Sequence, residues 1–165
     1  MSLPSIIVII LATCAATEVV AWLVHRYIMH GWGWHWHRSH HEPRTGPFER
    51  NDLYAIFFAG IAIALLVVGQ LNAATAPLFW AGIGMCLYGA LYTTLHDILV
   101  HQRLPIGWRP RSGYLARLVE AHHLHHACRS RDGAVSFGFL FAPPPARLRA
   151  RLNARRHRSE QPPAA

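Results

Sequence analysis

The stretch EVVAWLVHRYIMHGWGWHWHRSHH, Glu18 to His41, decides how this chain is read. It begins as the end of an apolar run and passes without a break into a tract of histidine and tryptophan. His25 and His30 form H-x4-H; His37, His40 and His41 form H-x2-H-H. Both patterns recur further along, as His96 and His101 and then as His122, His125 and His126. Neutral imidazole is the commonest protein metal ligand and suits iron, copper, zinc and nickel. Ten imidazoles exceed the roughly six positions around one ion and suit two. These ten are the candidate metal ligands. His35, His123 and His157 are read as structural.

Outward from that stretch, the chain has the balance of a membrane protein. Of 165 residues, 52% are hydrophobic and only 15% charged. Three runs have the roughly 17–25 residues that a spanning helix needs: about Ile6 to Val24, Leu53 to Leu71 and Pro77 to Leu95. The short uncharged link Asn72 to Ala76 makes the last two an antiparallel hairpin. No basic residue precedes the first run, so a retained helix is expected and not a cleaved signal. Val135 to Ala142 is too short to span and is read as re-entrant or packed on the surface. The fold class is therefore all-α, an integral membrane helical bundle with three spanning helices and a re-entrant fourth segment as an option. Domain boundaries fall at 1–145 for the membrane-embedded part and 146–165 for a basic tail, disordered from Gln161 to Ala165.

Charge gives the orientation. The net charge is +8, and every basic residue is an arginine. Arg26 to Arg50 lie between the first two runs, and Arg103 and all later arginines follow the third. The positive-inside rule puts the N-terminus outside and all ten histidines at one cytoplasmic face of the inner membrane. The arginines are not interleaved with aromatics, so an anionic membrane, not nucleic acid, is their expected partner. Six arginines between Arg147 and Arg158 read as a solvated tail or as a contact with anionic lipid. Trp32, Trp34 and Trp36 read as an interfacial belt, with lining of a substrate as the alternative. Cys14, Cys86 and Cys128 lack C-x-x-C pairing and read as structural thiols.

On an α-helix, H-x2-H-H places its imidazoles on one face. H-x4-H does not, because five steps of about 100° leave the two rings some 140° apart. Two acids stand out as groups that hold a ligand histidine in place. Glu18 lies inside an apolar run, where a carboxylate is costly, and shares a helical face with His25. It is expected to orient a ligand histidine or to bind metal. Asp97 adjoins His96 and is expected to fix its tautomer. Glu42, Asp52 and Glu120 are weaker candidates. The chain has no E-x-x-H and no H-E-x-x-H, which sets aside ferritin-like di-iron bundles and zincin proteases.

Three stretches carry a resemblance: AWLVHRYIMHGWGWHWHRSHHEPRTGPFERNDLYA within Glu18 to Ala55, LHDILVHQRLP from Leu95, and EAHHLHHA from Glu120. They closely resemble the bacterial β-carotene 3-hydroxylases of the fatty acid hydroxylase and sterol desaturase superfamily. The resemblance runs from Glu18 to about Pro145, with all four histidine motifs in order. It implies a non-haem di-iron monooxygenase with two iron ions and O2 as co-substrate. Electrons would come from a ferredoxin-type donor and its reductase. The carotenoid would be hydroxylated at C3 of its β-ionone rings, giving zeaxanthin through cryptoxanthin, with keto-carotenoids as a further substrate leading toward astaxanthin. The nearest rival is a desaturase or hydroxylase of another lipid on the same scaffold. A rival of a different class is a histidine-rich metal transporter.

Overall fold

The computed structural model describes residues 1–160, with side chains to residue 155. His157 and the stretch Gln161 to Ala165 lie outside the described side chains. All regular structure among the described residues is helical. Helix α1 (Leu3–Leu23) begins at the Ser2 cap, with Pro4 in its first turn. It continues as a π-helix over Val24–Trp32, and the backbone kinks at Gly31 into α2 (Trp34–His41). An apolar hairpin follows, α3 (Asp52–Val68) and α4 (Ala76–Tyr92), and α4 in turn runs on as a π-helix over Thr93–Val100. Helices α5 (Gly113–His126) and α6 (Pro145–Glu160) complete the chain.

Two continuous helices, Leu3–Trp32 and Ala76–Val100, are long and apolar enough to cross a membrane. Helix α3 has 17 residues, which is about 26 Å of helix and at the short end for a hydrocarbon core of roughly 30 Å. The expected second span is thus present as an apolar helix but ends at Val68, three residues before Leu71. The turn Gly69–Thr75 takes the rest, with Asn72 Oδ1 accepting from the N–H groups of Ala74 and Thr75.

Helix α4 packs between α1 and α3. Gly84 makes the first contact possible: a Cβ there would stand 2.6 Å from the Ile10 carbonyl and 2.8 Å from Thr13. Cys14, Ala21 and Tyr88 close this interface. The outward faces carry large apolar side chains such as Val8, Leu11, Ile56 and Phe57, each well exposed. Without a lipid solvent such a surface would be a large aggregation site.

The second core lies at the other end. Leu118 and Ala121 of α5 meet Val135, Ala142 and the α6 residues Leu148 and Leu152. The stretch Arg147 to Arg158, expected as a solvated tail or a contact with anionic lipid, thus begins as a helix with two core leucines. Leu148 and Leu152 are four residues apart on one helical face and both buried, while the arginines occupy the other faces. The run Val135 to Ala142 is irregular and is neither a helix nor a surface strap. It lies folded against the histidine-bearing helices, with Val135 and Ala142 in the core.

Candidate metal centre

The two π-helices decide the site. A π-helix bonds i to i+5, so residues five apart stack on one face. His101 N–H donates to the His96 carbonyl at 3.0 Å, and the turn that closes the first π-helix has the same form, Gly33 N–H to Ile28 O at 2.9 Å. Each H-x4-H pair therefore presents both rings to the same side. The 140° separation of the α-helical reading does not occur.

Ten histidines converge through their Nε2 atoms into two adjoining nests. His25, His30, His37 and His125 form one group whose ligand atoms all lie within 4.8 Å of one another. His41 adds a fifth nitrogen, 3.1 Å from His125 Nε2 and 3.2 Å from His37 Nε2. His40, His96, His101 and His122 form the second group. His126 stands between them: its Nε2 is 2.8 Å from His122 Nε2, and its ring stacks on His41 at 4.4 Å. Each half of the chain thus supplies most of one nest, with His40 and His125 exchanged between them.

The outer ring nitrogens settle what these contacts are. His25 Nδ1–H donates to Phe137 O, His30 to Arg131 O, His41 to Cys128 O and His125 to Val135 O, at 2.7–3.1 Å. His37 donates to Asn51 Oδ1 at 2.7 Å, His40 to Glu49 Oε2 at 2.9 Å and His96 to Asp97 Oδ1 at 2.7 Å. Each of these acceptors is an oxygen with no proton to give, so the proton sits on Nδ1 and Nε2 carries a lone pair. Yet His25 and His37 hold Nε2 atoms 3.1 Å apart, as do His25 and His125, and His40 and His96. Lone pairs at that distance repel and cannot be hydrogen bonds to each other. A cation among them turns the repulsion into coordination. The donor set fits a divalent transition ion on chemistry as well as on shape. Ligands 2.1 Å from one ion and at right angles stand about 3.0 Å apart, against about 3.4 Å for a tetrahedron. The observed spacings of 2.8–3.2 Å suit five or six ligands better than the closed tetrahedron of structural zinc.

Burial keeps the imidazoles neutral. His37, His40, His122 and His125 are pushed well below the usual histidine range by desolvation, and neighbouring imidazoles push further. Desolvation also lowers His41 to about 4, His101 to about 3 and His126 to about 2. A metal ligand must be the neutral form, so the site is held ready at neutral pH.

Acids and an arginine surround the second nest. Arg103 Nη2 lies 2.7 Å from Asp52 Oδ1 and 3.5 Å from Glu49 Oε2, and its Nε is 3.9 Å from Asp97 Oδ1. One cation thus holds the two carboxylates that orient His40 and His96. Glu49, Asn51 and Arg103 were missed in the sequence. The only signal for them was proximity to the motifs, since none sits at a fixed spacing from its histidine.

Glu18 acts elsewhere than expected. Its carboxylate touches none of the histidines. Oε1 accepts the backbone N–H groups of Phe139, Leu140 and Phe141 at 2.9, 2.9 and 3.1 Å, and Oε2 accepts from Tyr88 O–H at 2.9 Å. It pins the segment whose Phe137 carbonyl orients His25. Gly138 allows the approach, since a Cβ there would stand 2.9 Å from Glu18 Oε1. Of the weaker candidates, Asp52 serves Arg103, Glu42 pairs with Arg38 and Glu120 with Arg149. Trp34 packs its ring 5.2 Å from those of His30 and His41, whereas Trp32 is 77% exposed. Cys14 is buried, but Cys86 is exposed on α4, so only the first is a core thiol.

A cavity of about 370 Å³ lies among α1, α3 and α4, and no histidine lines it directly. Ala21, Phe58, Ala62, Met85 and Gly89 line its apolar part; Asn51, Tyr92, Asp97 and Phe139 line the end nearest the histidines. Tyr92 stacks on His96 at 4.5 Å and Phe139 on His25 at 5.2 Å. None of Trp32, Trp34 and Trp36 lines this cavity.

Comparison with known proteins agrees with this geometry. Residues 10–143 match the fatty acid hydroxylase family. The chain belongs to the fatty acid hydroxylase family. Among its relatives in that family is a β-carotene hydroxylase of Pseudescherichia vulneris, 57% identical over 91% of this chain and 84% of the relative. A β-carotene hydroxylase of Pantoea ananas is 55% identical over 89% of this chain and 83% of the relative. A chloroplastic β-carotene 3-hydroxylase of Arabidopsis thaliana is 40% identical over 81% of this chain and 44% of the plant protein. No solved structure matches. The family match covers both nests, the cavity and Glu18, and it ends two residues before α6.

Proposed function

We propose that this fatty acid hydroxylase family member is a β-carotene 3-hydroxylase. It hydroxylates the β-ionone rings at C3 and yields zeaxanthin through cryptoxanthin; keto-carotenoids are a second substrate class. The observation that carries the proposal is the apolar cavity between membrane-type helices whose lining residues Tyr92 and Phe139 stack on His96 and His25 of the two nests. The names and high identity of the bacterial relatives support the carotenoid as substrate. His25, His30, His37, His41 and His125 would hold one iron, and His40, His96, His101 and His122 the other, with His126 between them. Iron bound there would supply the activation of O2, with electrons from a ferredoxin-type donor.

The chain's own residues supply positioning. The C4–H bond of the ring is allylic and weaker than C3–H, so reaction at C3 requires that the ring be held at one distance and angle. The aromatic faces of Tyr92 and Phe139 close the inner end of the cavity beside both nests. A ring enters between α3 and α4 and stops against them. A cavity of about 370 Å³ takes the ring and the nearest part of the polyene. The rest of the forty-carbon chain lies along the exposed apolar helix faces, in lipid. Arginine placement supports a reading in which the nests lie at the cytoplasmic face of the inner membrane and the N-terminus outside.

The test is pigment chromatography of bacterial cells that make β-carotene and express this chain. Zeaxanthin and cryptoxanthin are expected from the wild type and neither from His37→Ala or His96→Ala. Unchanged β-carotene with another lipid hydroxylated or desaturated would shift the assignment to the rival on the same scaffold. Metal flux into vesicles without O2-dependent product would favour a transporter.

A further inference from the structure

A second cleft, of about 510 Å³, opens between α1, the 134–143 segment and α6, on a face of α1 adjoining that of the proposed carotenoid cavity. Its walls are Val19, Trp22, Phe137 and Phe141, and three arginines, Arg26, Arg151 and Arg155, stand in it. Arg151 and Arg155 are one turn apart on α6 and share a face. Arg26 lies over the aromatic rings of Trp22, Tyr27 and Phe137, at 5.4–5.5 Å from their centroids. Arg151 has no hydrogen-bond or ion-pair partner among the described residues, and Arg155 gives one N–H to the Ala134 carbonyl at 3.0 Å. Glu18 also borders the cleft, but its oxygens are committed to the backbone of 139–141 and to Tyr88. With three arginines against the one Glu18 carboxylate, the cleft keeps a net positive charge over an apolar floor.

Depth decides what fits. Leu3–Leu23 is 21 residues, about 31 Å of helix, which matches a hydrocarbon core of roughly 30 Å. Arg26 follows by less than one turn, at the level of lipid phosphates, and Trp22 and Tyr27 flank it as interfacial residues do. A soluble anion would meet the charge but leave the apolar walls wet. A phospholipid satisfies both, with its phosphate among the guanidinium groups and its chains along Val19 and Trp22. We infer that this cleft binds the phosphate of an anionic membrane phospholipid. The occupant would clamp α6 and the 134–143 segment onto α1. That segment carries the Val135 and Phe137 carbonyls, which orient His125 and His25, so the bound lipid orders the first nest from outside.

Native mass spectrometry of protein released from bilayer discs with equal phosphatidylglycerol and phosphatidylcholine tests this. The wild type is expected to retain one phosphatidylglycerol in preference to phosphatidylcholine. Each arginine near the surface is worth roughly fivefold in affinity, so R151A/R155A should lose retention about 30-fold. The control R111A/R129A removes the same charge from two residues outside α6 that line no part of the cleft and should retain lipid. R26Q, on a different helix, should weaken retention on its own, so failure of α6 to dock in one variant does not decide the outcome. Equal loss in R111A/R129A would mean diffuse surface attraction and overturn the site. Displacement of the lipid by millimolar inorganic phosphate would overturn the assignment to a phospholipid.

Discussion

Replacing Glu18 with alanine should empty one nest and leave the other filled. Glu18 Oε1 accepts three backbone N–H groups of the 139–141 segment, and Oε2 accepts the Tyr88 hydroxyl. Each buried N–H left without a partner costs about 1–3 kcal/mol. The Phe139 and Leu140 N–H groups are part-buried and that of Phe141 is exposed, so two would cost roughly 2–6 kcal/mol, enough for a loop without regular structure to lift off and hydrate instead. Four of the five histidines in the first nest give their Nδ1 protons to carbonyls of residues 128–137. In the second nest, His40 and His96 use Glu49 and Asp97, which do not touch that segment. Hydrogen exchange should show residues 134–142 losing protection in E18A. Metal analysis of the same preparation should show occupancy falling from two ions per chain toward one. E18Q keeps an acceptor oxygen for the three N–H groups and should hold most of both. Equal loss from both nests, or protection of 134–142 unchanged in E18A, would refute the reasoning.

Three other outcomes follow from the same contacts. R103M leaves Glu49, Asp52 and Asp97 without their shared cation, so metal affinity of the second nest should fall roughly 10–100-fold by titration while the first nest is spared. The folded-state histidine values lie below the unfolded value of 6.5, with His41 at about 4, so the unfolded chain binds more protons between those limits. Stability and metal retention should therefore be full above pH 6.5 and fall progressively as pH drops toward 4, measured by thermal unfolding and metal release across that range. Gly89 lines the proposed substrate cavity, and a Cβ there meets nothing within 4 Å; G89L should fill the space and lower zeaxanthin yield with metal content unchanged.

The parts of this molecule readable from sequence were those carried by side-chain pattern. The apolar runs gave the long helices, and the four histidine groups gave the residues that converge in the two nests, because apolarity and imidazole are both visible in single residues. The pairing within H-x4-H was misread, since an α-helical rotation puts His96 and His101 on different faces. The change to i→i+5 bonding at Thr93 leaves no mark in composition. The orienting acceptors were hidden for a related reason. Arg131, Val135 and Phe137 act through their carbonyls, which every residue possesses. Glu18 was correctly singled out as an expensive buried acid, but the groups that satisfy it are backbone N–H groups about 120 residues away. The docking of α6 was legible in principle from Leu148 and Leu152, four apart, and was masked by the arginines around them.

Two nests of imidazoles with different supporting contacts predict two metal ions that are held independently. The direct measurement is the iron content per chain of anaerobically loaded protein, wild type beside His25→Ala and His96→Ala. Two irons in the wild type and one in each variant is the predicted result. A single iron in the wild type, or both ions lost from either variant alone, would contradict it.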